Sequence, residues 1–268
     1  MKTLRQVAAA VLGLIFLATL FAGALAPADY AKQFRESPNA STSLQHLLGT
    51  DELGRDLFSR LLYGSRVSLL LAPAAAILAT VIAALVGGVA GYVGGWLERV
   101  AMAGTDLSMS LPWLFLLLTV RAVLPLNAPP ATSVVITFAL LGLLGWAASA
   151  RVVCAGAREL RDSDFVLQAK ACGSTPWRVL LRQVLPNLRP VLFAQFLISI
   201  PVFILTEANL GILGLGVSEP LPSWGSLLRG LENWSAVQAN PCRLAPLLLL
   251  LVVANCFQLI LPREDFVA

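Results

Sequence analysis

Residues 67–97, VSLLLAPAAAILATVIAALVGGVAGYVGGWL, form a run of 31 residues without one charged side chain. About 20 consecutive apolar residues are enough for a helix to cross a lipid bilayer. The run is longer than a straight span needs, so we expect a tilted or bent helix, with Pro73 as a candidate for the bend. Gly87, Gly91 and Gly95 are spaced four apart, which predicts one helical face where another backbone approaches closely.

The rest of the chain has the same apolar character. Its 268 residues are 57% hydrophobic and 13% charged, with a mean hydropathy of +0.79, whereas soluble domains are about 25% charged. Five further apolar stretches can be drawn, at residues 7–26, 107–126, 131–150, 190–213 and 244–261. We therefore predict an all-α, multi-pass membrane protein with about six transmembrane helices. The basic residues form no long run, so no nucleic-acid partner is expected.

The charges divide the chain into three predicted regions. Residues 1–28 form an N-terminal transmembrane anchor, residues 29–66 an extracytoplasmic segment, and residues 67–268 a core of five helices. The motif Ala24-Leu25-Ala26 also fits a signal-peptidase site, but the apolar run before it is longer than the core of a signal peptide, which favours an uncleaved anchor. The basic residues place the N-terminus and the 151–189 segment in the cytoplasm.

The extracytoplasmic segment ends in a predicted turn and an amphipathic helix that leads into the second span. Thr50 or Asp51 is the expected cap, and Leu57, Leu61 and Leu62 share one face. Two interpretations remain open: a solvated helix at the membrane interface, or a structured lip of a translocation pathway.

The 151–189 segment is too polar to span a membrane and predicts two short helices joined by a turn. Residues 162–164 supply caps for a first helix that ends at Cys172, and Gly173 suits a left-handed residue after it. Pro176 suits the first position of a second helix, which Pro186 is expected to stop. Six apolar residues of the segment could either dock a partner or pack on the protein's own helices: Phe165, Val166, Ala169, Trp177, Leu180 and Leu181.

Two ionisable residues lie within predicted spans, and such residues are functional candidates by default. Glu207 lies deep in the fifth span, and Arg121 lies near the outer end of the third. Both are candidates for the translocation pathway, although Arg121 could instead snorkel to the membrane surface.

Several classes of site are not supported by the sequence. The four cysteines and the single histidine, His46, which we expect at the surface, form no metal-binding pattern. No G-x-x-x-x-G-K phosphate loop occurs, and neither H-E-x-x-H nor G-x-S-x-G is present. We therefore expect no enzymatic activity and no bound cofactor in this chain. An ion-coupled carrier or channel is the alternative, but such a protein is expected to have several acidic residues within its spans.

Three motifs resemble a known family. Residues 165–173 (FVLQAKACG), followed by Pro186-Asn187, look like its cytoplasmic E-A-A…G…L-P loop. Residues 48–60 (LGTDELGRDLFSR) and residues 211–217 (GILGLGV), leading to residues 222–225 (PSWG), look like the stretches before its second span and after its fifth. Together they resemble the permease subunits of ATP-binding-cassette importers, specifically the C-type subunit of the dipeptide/oligopeptide/nickel branch. Leu167 and Gln168 depart from the E-A-A triplet, and residues 261–265 depart from the usual ending.

The resemblance implies a type I importer fold with a coupling helix at residues 164–177, seated on a cytoplasmic ATPase. It implies a second permease subunit in a heterodimer, two ATPase subunits that bind the ATP, an extracytoplasmic solute-binding protein, and a bacterial inner (plasma) membrane. Peptides are the family's default substrate. The residues expected to couple to the ATPase are Asp164, Phe165, Ala169, Gly173, Pro176, Trp177 and Pro186.

Overall fold

The computed structural model describes residues 2–123 and 129–260. Within these ranges the regular elements are helices, and extended pairing is limited to two isolated β-bridges. The predicted all-α fold is therefore confirmed. The principal helices are Lys2–Leu20, Leu57–Val93, Gly95–Ser110, Trp113–Val123, Pro130–Leu144, Ala147–Arg161, Asp164–Ala171, Arg189–Ile212 and Ala245–Ile260.

Five helical stretches in the described part are long and apolar enough to cross a membrane, and the number is six if one bent pair of helices forms a single broken span. The pair is Gly95–Ser110 and Trp113–Val123, which meet at 82°. Pro112 lies at the break, where it supplies no backbone N–H to continue the ladder. This agrees with the predicted number of about six. The predicted ends of the third and sixth spans, and the ending at residues 261–265, lie outside the described residues.

The second span begins earlier than the sequence indicates. One continuous helix, Leu57–Val93, includes both the predicted amphipathic helix and the span. The carboxylate of Asp56 accepts the backbone N–H of Ser59 at 2.8 Å, which is a capping bond, so neither Thr50 nor Asp51 is the cap. The helix ends before Gly94, whose φ is +73°.

The chain divides into two compact units, which we call the first and second units. The first contains the described residues of the ranges 2–72, 120–138 and 201–260. Within it the N-terminal helix Lys2–Leu20 packs against the last helix, Ala245–Ile260. The second contains Pro73–Thr119 and Ala139–Ile200.

Close backbone packing in the second unit depends on two of the three glycines on the predicted face. A Cβ at Gly87 would overlap the carbonyl oxygen of Ala150, and one at Gly91 would overlap that of Cys154. The helix Leu57–Val93 therefore approaches Ala147–Arg161 backbone to backbone. Gly95 is different, because it begins the next helix and meets nothing within 4 Å.

Candidate functional site

The first of the two short helices predicted in the 151–189 segment is Asp164–Ala171, preceded by Ser163. It follows the helix Ala147–Arg161, which includes the start of the segment. Ser163 directs its hydroxyl to the carbonyl of Leu160 at 2.6 Å. The helix ends as predicted, with Gly173 at φ +77°. The N–H groups of Gly173 and Ser174 donate to the carbonyls of Lys170 and Ala169 at 3.0 and 3.1 Å. These two bonds define a Schellman motif, which reverses the chain.

The second of the two short helices begins at Pro176, after Thr175 at the cap position. Here one prediction is wrong, because Pro186 does not stop the helix. A π-helical turn, Leu180–Val184, precedes it, and the N–H of Leu185 donates five residues back to Leu180. The wider turn shifts the register of the backbone hydrogen bonds ahead of the proline, so helical structure continues into Arg189–Ile212.

The apolar residues of the segment divide into a buried set and an exposed set. Val166 and Leu180 are at most 1% exposed and belong to the core of the second unit, with Val153 and Ala157. Ala169 packs on the edge of that core. Other large apolar side chains of the segment are exposed: Phe165, Leu167, Trp177 and Leu181, with 37%, 50%, 60% and 51% of their surfaces accessible. We call these four residues the exposed apolar face. The packing interpretation is thus confirmed for Val166, Ala169 and Leu180. Docking of a partner on the exposed residues stays a prediction.

Ion pairs and one cation–π contact fix the neighbouring helices. Arg158 pairs with Glu98, and Arg151 pairs with Asp106 at 2.5 Å. The Lys170 ammonium lies 5.5 Å from the ring centre of Tyr92. These contacts join the helices Gly95–Ser110 and Ala147–Arg161 and connect Lys170 of the segment to the helix Leu57–Val93. Of the predicted coupling residues, Asp164, Phe165, Gly173, Pro176 and Trp177 are exposed, while Ala169 and Pro186 are half-buried.

Glu207 lies in a buried polar cluster of the first unit. It is fully buried, and its carboxylate accepts the hydroxyl of Ser68 at 3.1 Å. The same Ser68 oxygen accepts the backbone N–H of Trp224 at 3.2 Å, and the Trp224 indole N–H donates to Ser65 at 2.8 Å. Glu207 therefore ties the helix Arg189–Ile212, through Ser68, to the short helix Trp224–Arg229.

Arg121 is only 1% exposed, so it does not snorkel. Its guanidinium donates to the hydroxyl of Ser133 at 2.8 Å and to the carbonyl of Gly216 at 3.4 Å. Ser133 also hydrogen-bonds the Ser218 hydroxyl at 2.9 Å. Arg121 therefore holds the loop that follows Arg189–Ile212 through neutral oxygens, which satisfies part of a buried cation.

The 29–66 segment is folded, and several of its polar side chains are buried although many of its residues are exposed. His46, which we predicted at the surface, is 8% exposed and lies 3.0 Å from the carboxylate of Asp56. Buried Arg243 donates to Asn39 at 2.6 Å and to the carbonyl of Thr50 at 3.1 Å. The segment therefore packs on the residues just before the last helix. No group of three or more metal-ligand side chains occurs in the part of the chain that the structure describes.

Two arginines of this segment hold a carboxylate from the loop after Arg189–Ile212. Arg55 and Arg60 contact Glu219 at 2.5 and 3.0 Å, and Arg55 also pairs with Asp51 at 2.6 Å. Burial lowers the pKa of Arg55, but the Asp51 and Glu219 carboxylates raise it further, so its pKa lies above the ordinary value. Sequence reasoning missed this Arg55–Arg60–Glu219 clamp, because its members are about 160 residues apart. The alternation of charges in residues 51–60 was the available signal.

Beside the clamp lies a cavity of about 450 Å³ within the first unit. Its wall combines leucines with acidic and basic side chains. The lining residues are Leu48, Asp51, Glu52, Leu53, Arg55, Leu57, Arg60, Glu219, Ser226, Leu227, Arg229, Gly230, Leu231, Glu232, Asn233, Cys242, Arg243 and Pro246.

The fold and these sites define a multi-pass, all-α membrane protein that carries a packed polar segment with exposed apolar side chains. Residues 79–263 match the family described as binding-protein-dependent transport system inner membrane component. The chain belongs to this family. The resemblance drawn from its motifs, to permease subunits of the dipeptide and oligopeptide branch, is confirmed.

Similar proteins come from several bacteria. The chain is 33% identical to the dipeptide transport system permease protein of Bacillus subtilis, over 84% of this chain and 70% of that protein. It is 31% identical to the oligopeptide transport system permease protein of the same organism, over 84% and 72%. A Brucella suis protein, named as a candidate peptide permease, is 32% identical over 76% of this chain. That alignment spans 65% of the Brucella protein, just under two thirds of its length.

Proposed function

We propose that this chain is one of two permease subunits of an ATP-driven importer of short peptides in a bacterial inner membrane. A second, different permease subunit completes the pathway, two cytoplasmic ATPases supply the energy, and an extracytoplasmic solute-binding protein delivers the peptide. The chain itself performs no catalysis and binds no nucleotide. Family membership supports the transporter class, and the names of its relatives support peptides as the solute.

The observation that carries the proposal is the exposed apolar face. Its four large side chains are exposed, whereas Val166 and Leu180 of the same segment are packed into the core. Apolar side chains grouped on an otherwise polar segment are typical of a surface that a partner covers. Leu167 stands in this face where the related family has an acidic residue, so the contact with the ATPase is apolar at that point.

The packing of the segment's buried residues against two long helices supports its role in coupling. Closure of the ATPase pair moves the segment as a body, because its buried residues are fixed to Leu57–Val93 and Ala147–Arg161. The helices then pass the movement to the pathway as alternating access.

Replacing Trp177 by alanine tests the proposal. Trp177 is 60% exposed and contributes to the exposed apolar face, so Trp177→Ala removes partner contact without opening a cavity in the core. We expect at least fivefold less ATPase subunit to co-purify with the tagged variant, and a matching fall in ATP-dependent peptide uptake. Its thermal unfolding stays unchanged.

Trp234→Ala is the matched control, because Trp234 is 67% exposed but lies in the first unit. This variant keeps its ATPase subunits. Equal retention of ATPases by the two variants would contradict the proposed docking face. Uptake that collapses with an ionophore while ATP persists would instead identify an ion-coupled carrier.

A further inference from the structure

The cavity of the first unit has the size and wall of a small-molecule site. Its volume of about 450 Å³ lies within the range of roughly 300–1,000 Å³ in which most small ligands bind. Leucines and Pro246 supply apolar wall, and four acidic and four basic residues line the rest. A balanced set of charges does not favour a simple anion or a simple cation.

Most of these charged groups already hold the wall together. Asp51 and Glu219 pair with Arg55 and Arg60. Glu52 accepts a hydrogen bond from Asn233 at 2.8 Å. Arg243 donates hydrogen bonds to Asn39 and to the carbonyl of Thr50.

Two charged side chains that line the cavity, one cationic and one anionic, make no such contact. Arg229 and Glu232 are exposed, and no hydrogen bond or ion pair to either side chain occurs among residues 2–123 and 129–260. They lie three positions apart, at the end of the helix Trp224–Arg229 and in the turn Gly230–Glu232 that follows it. The cavity therefore offers one available cation and one available anion beside an apolar wall.

We propose that this cavity is a binding subsite for a short zwitterionic peptide. Arg229 receives the terminal carboxylate, Glu232 receives the terminal ammonium, and Leu227 and Leu231 contact the apolar side chain. Charge-assisted hydrogen bonds of this kind fix the orientation of a ligand. The inference rests on the proposed function, since it assigns to this chain a direct contact with the solute.

The test measures binding of the dipeptide Ala-Leu to the full-length chain, purified with its subunits in lipid nanodiscs. Calorimetric titration is repeated for Arg229→Gln and Glu232→Gln, and each is expected to weaken binding at least tenfold. Blocking one terminus of the dipeptide identifies which residue binds it. Glu232→Gln is expected to have no further effect on the affinity for N-acetyl-Ala-Leu, and Arg229→Gln none on the affinity for Ala-Leu amide.

Arg35→Gln and Glu36→Gln are matched controls, because these exposed neighbours make the same charge changes in the first unit but do not line the cavity. Both keep the native affinity. Unchanged affinity of Arg229→Gln and Glu232→Gln would overturn the subsite, and so would equally tight binding of free leucine. Loss of the solute-binding protein from these variants, with Ala-Leu affinity unchanged, would identify a docking surface and also overturn it. ATPase co-purification and ATP-dependent uptake report separately on the proposed function.

Discussion

Gly173 shows how one residue is required by its backbone alone. Its φ is +77°, yet a Cβ there would meet nothing within 4 Å. The requirement therefore comes from the left-handed conformation of the Schellman motif and not from packing. Sequence reasoning identified this position because glycine after a helical run, followed by a cap and a proline, is a local signal.

Gly173→Ala tests this requirement. A left-handed conformation costs a residue with a Cβ about 1–2 kcal/mol, so the turn between the two short helices becomes less stable. We expect less peptide to be taken up per ATP hydrolysed, measured in proteoliposomes. Gly173→Asn is expected to retain most of the coupling, because asparagine tolerates this conformation. Equal defects in the two variants would show that the dihedral is not the cause.

Ser68 is the central residue of the cluster around Glu207. Ser68→Ala removes the donor to Glu207 and the acceptor for the Trp224 N–H, both in buried surroundings. Leaving such groups unsatisfied costs about 1–3 kcal/mol, so the free energy of unfolding falls by that amount. Unfolding in detergent, followed by tryptophan fluorescence, measures it.

Ser199→Ala is the control for this experiment. Ser199 is also buried in a helix, but its hydroxyl bonds only the carbonyl four residues back, at 2.7 Å. Its loss should change stability little. Similar effects of the two substitutions would indicate that the Glu207 cluster contributes nothing beyond local bonding.

At the scale of elements, backbone contact between two helices defines the second unit. Gly87 and Gly91 allow Leu57–Val93 to lie directly on the carbonyls of Ala147–Arg161. The four-residue spacing was enough to predict this face. It was not enough to show that the helix ends at Val93, so that Gly95 lies outside the contact.

Gly87→Ala is expected to separate these two helices. A new methyl group against the fixed backbone of Ala150 forces a displacement that costs about 1–3 kcal/mol. The melting temperature in detergent should fall. Gly104→Ala is the matched control, because Gly104 is helical and meets nothing within 4 Å. That variant should be unchanged or slightly more stable, and a similar loss in both would contradict the packing role.

At the scale of the whole molecule, charged side chains that a membrane would exclude form contacts that stabilise the fold. Ten of the 34 charged residues lie in the 29–66 segment and ten in the 151–189 segment. In the first unit several of them join parts of the chain that are far apart in sequence, as Arg60 and Glu219 do across 159 residues. In the second unit, an ion pair joins Arg158 and Glu98 across 60 residues of sequence.

Glu219→Gln tests the contribution of the Arg55–Arg60–Glu219 clamp to the first unit. It leaves the Arg60 side chain, which is 3% exposed, without its main carboxylate partner. We expect faster amide hydrogen exchange in the loop at residues 213–223 and in residues 51–60, while other regions keep their rates. Glu36→Gln makes the same charge change on an exposed side chain and should leave exchange unaltered. No difference between the two would show that the clamp adds nothing to local stability.

The sequence by itself determined the all-α class, about six spans, the two polar segments and the turn at Gly173. These features follow from composition, from periodicity and from turn chemistry between near neighbours in the chain. Only the tertiary structure decided that the helix continues past Pro186, that Arg121 and Glu207 lie in buried polar clusters, and that Arg55 and Arg60 hold Glu219. These outcomes depend on which distant groups meet in space, because a buried charge takes whatever partner the packed helices bring within hydrogen-bond distance.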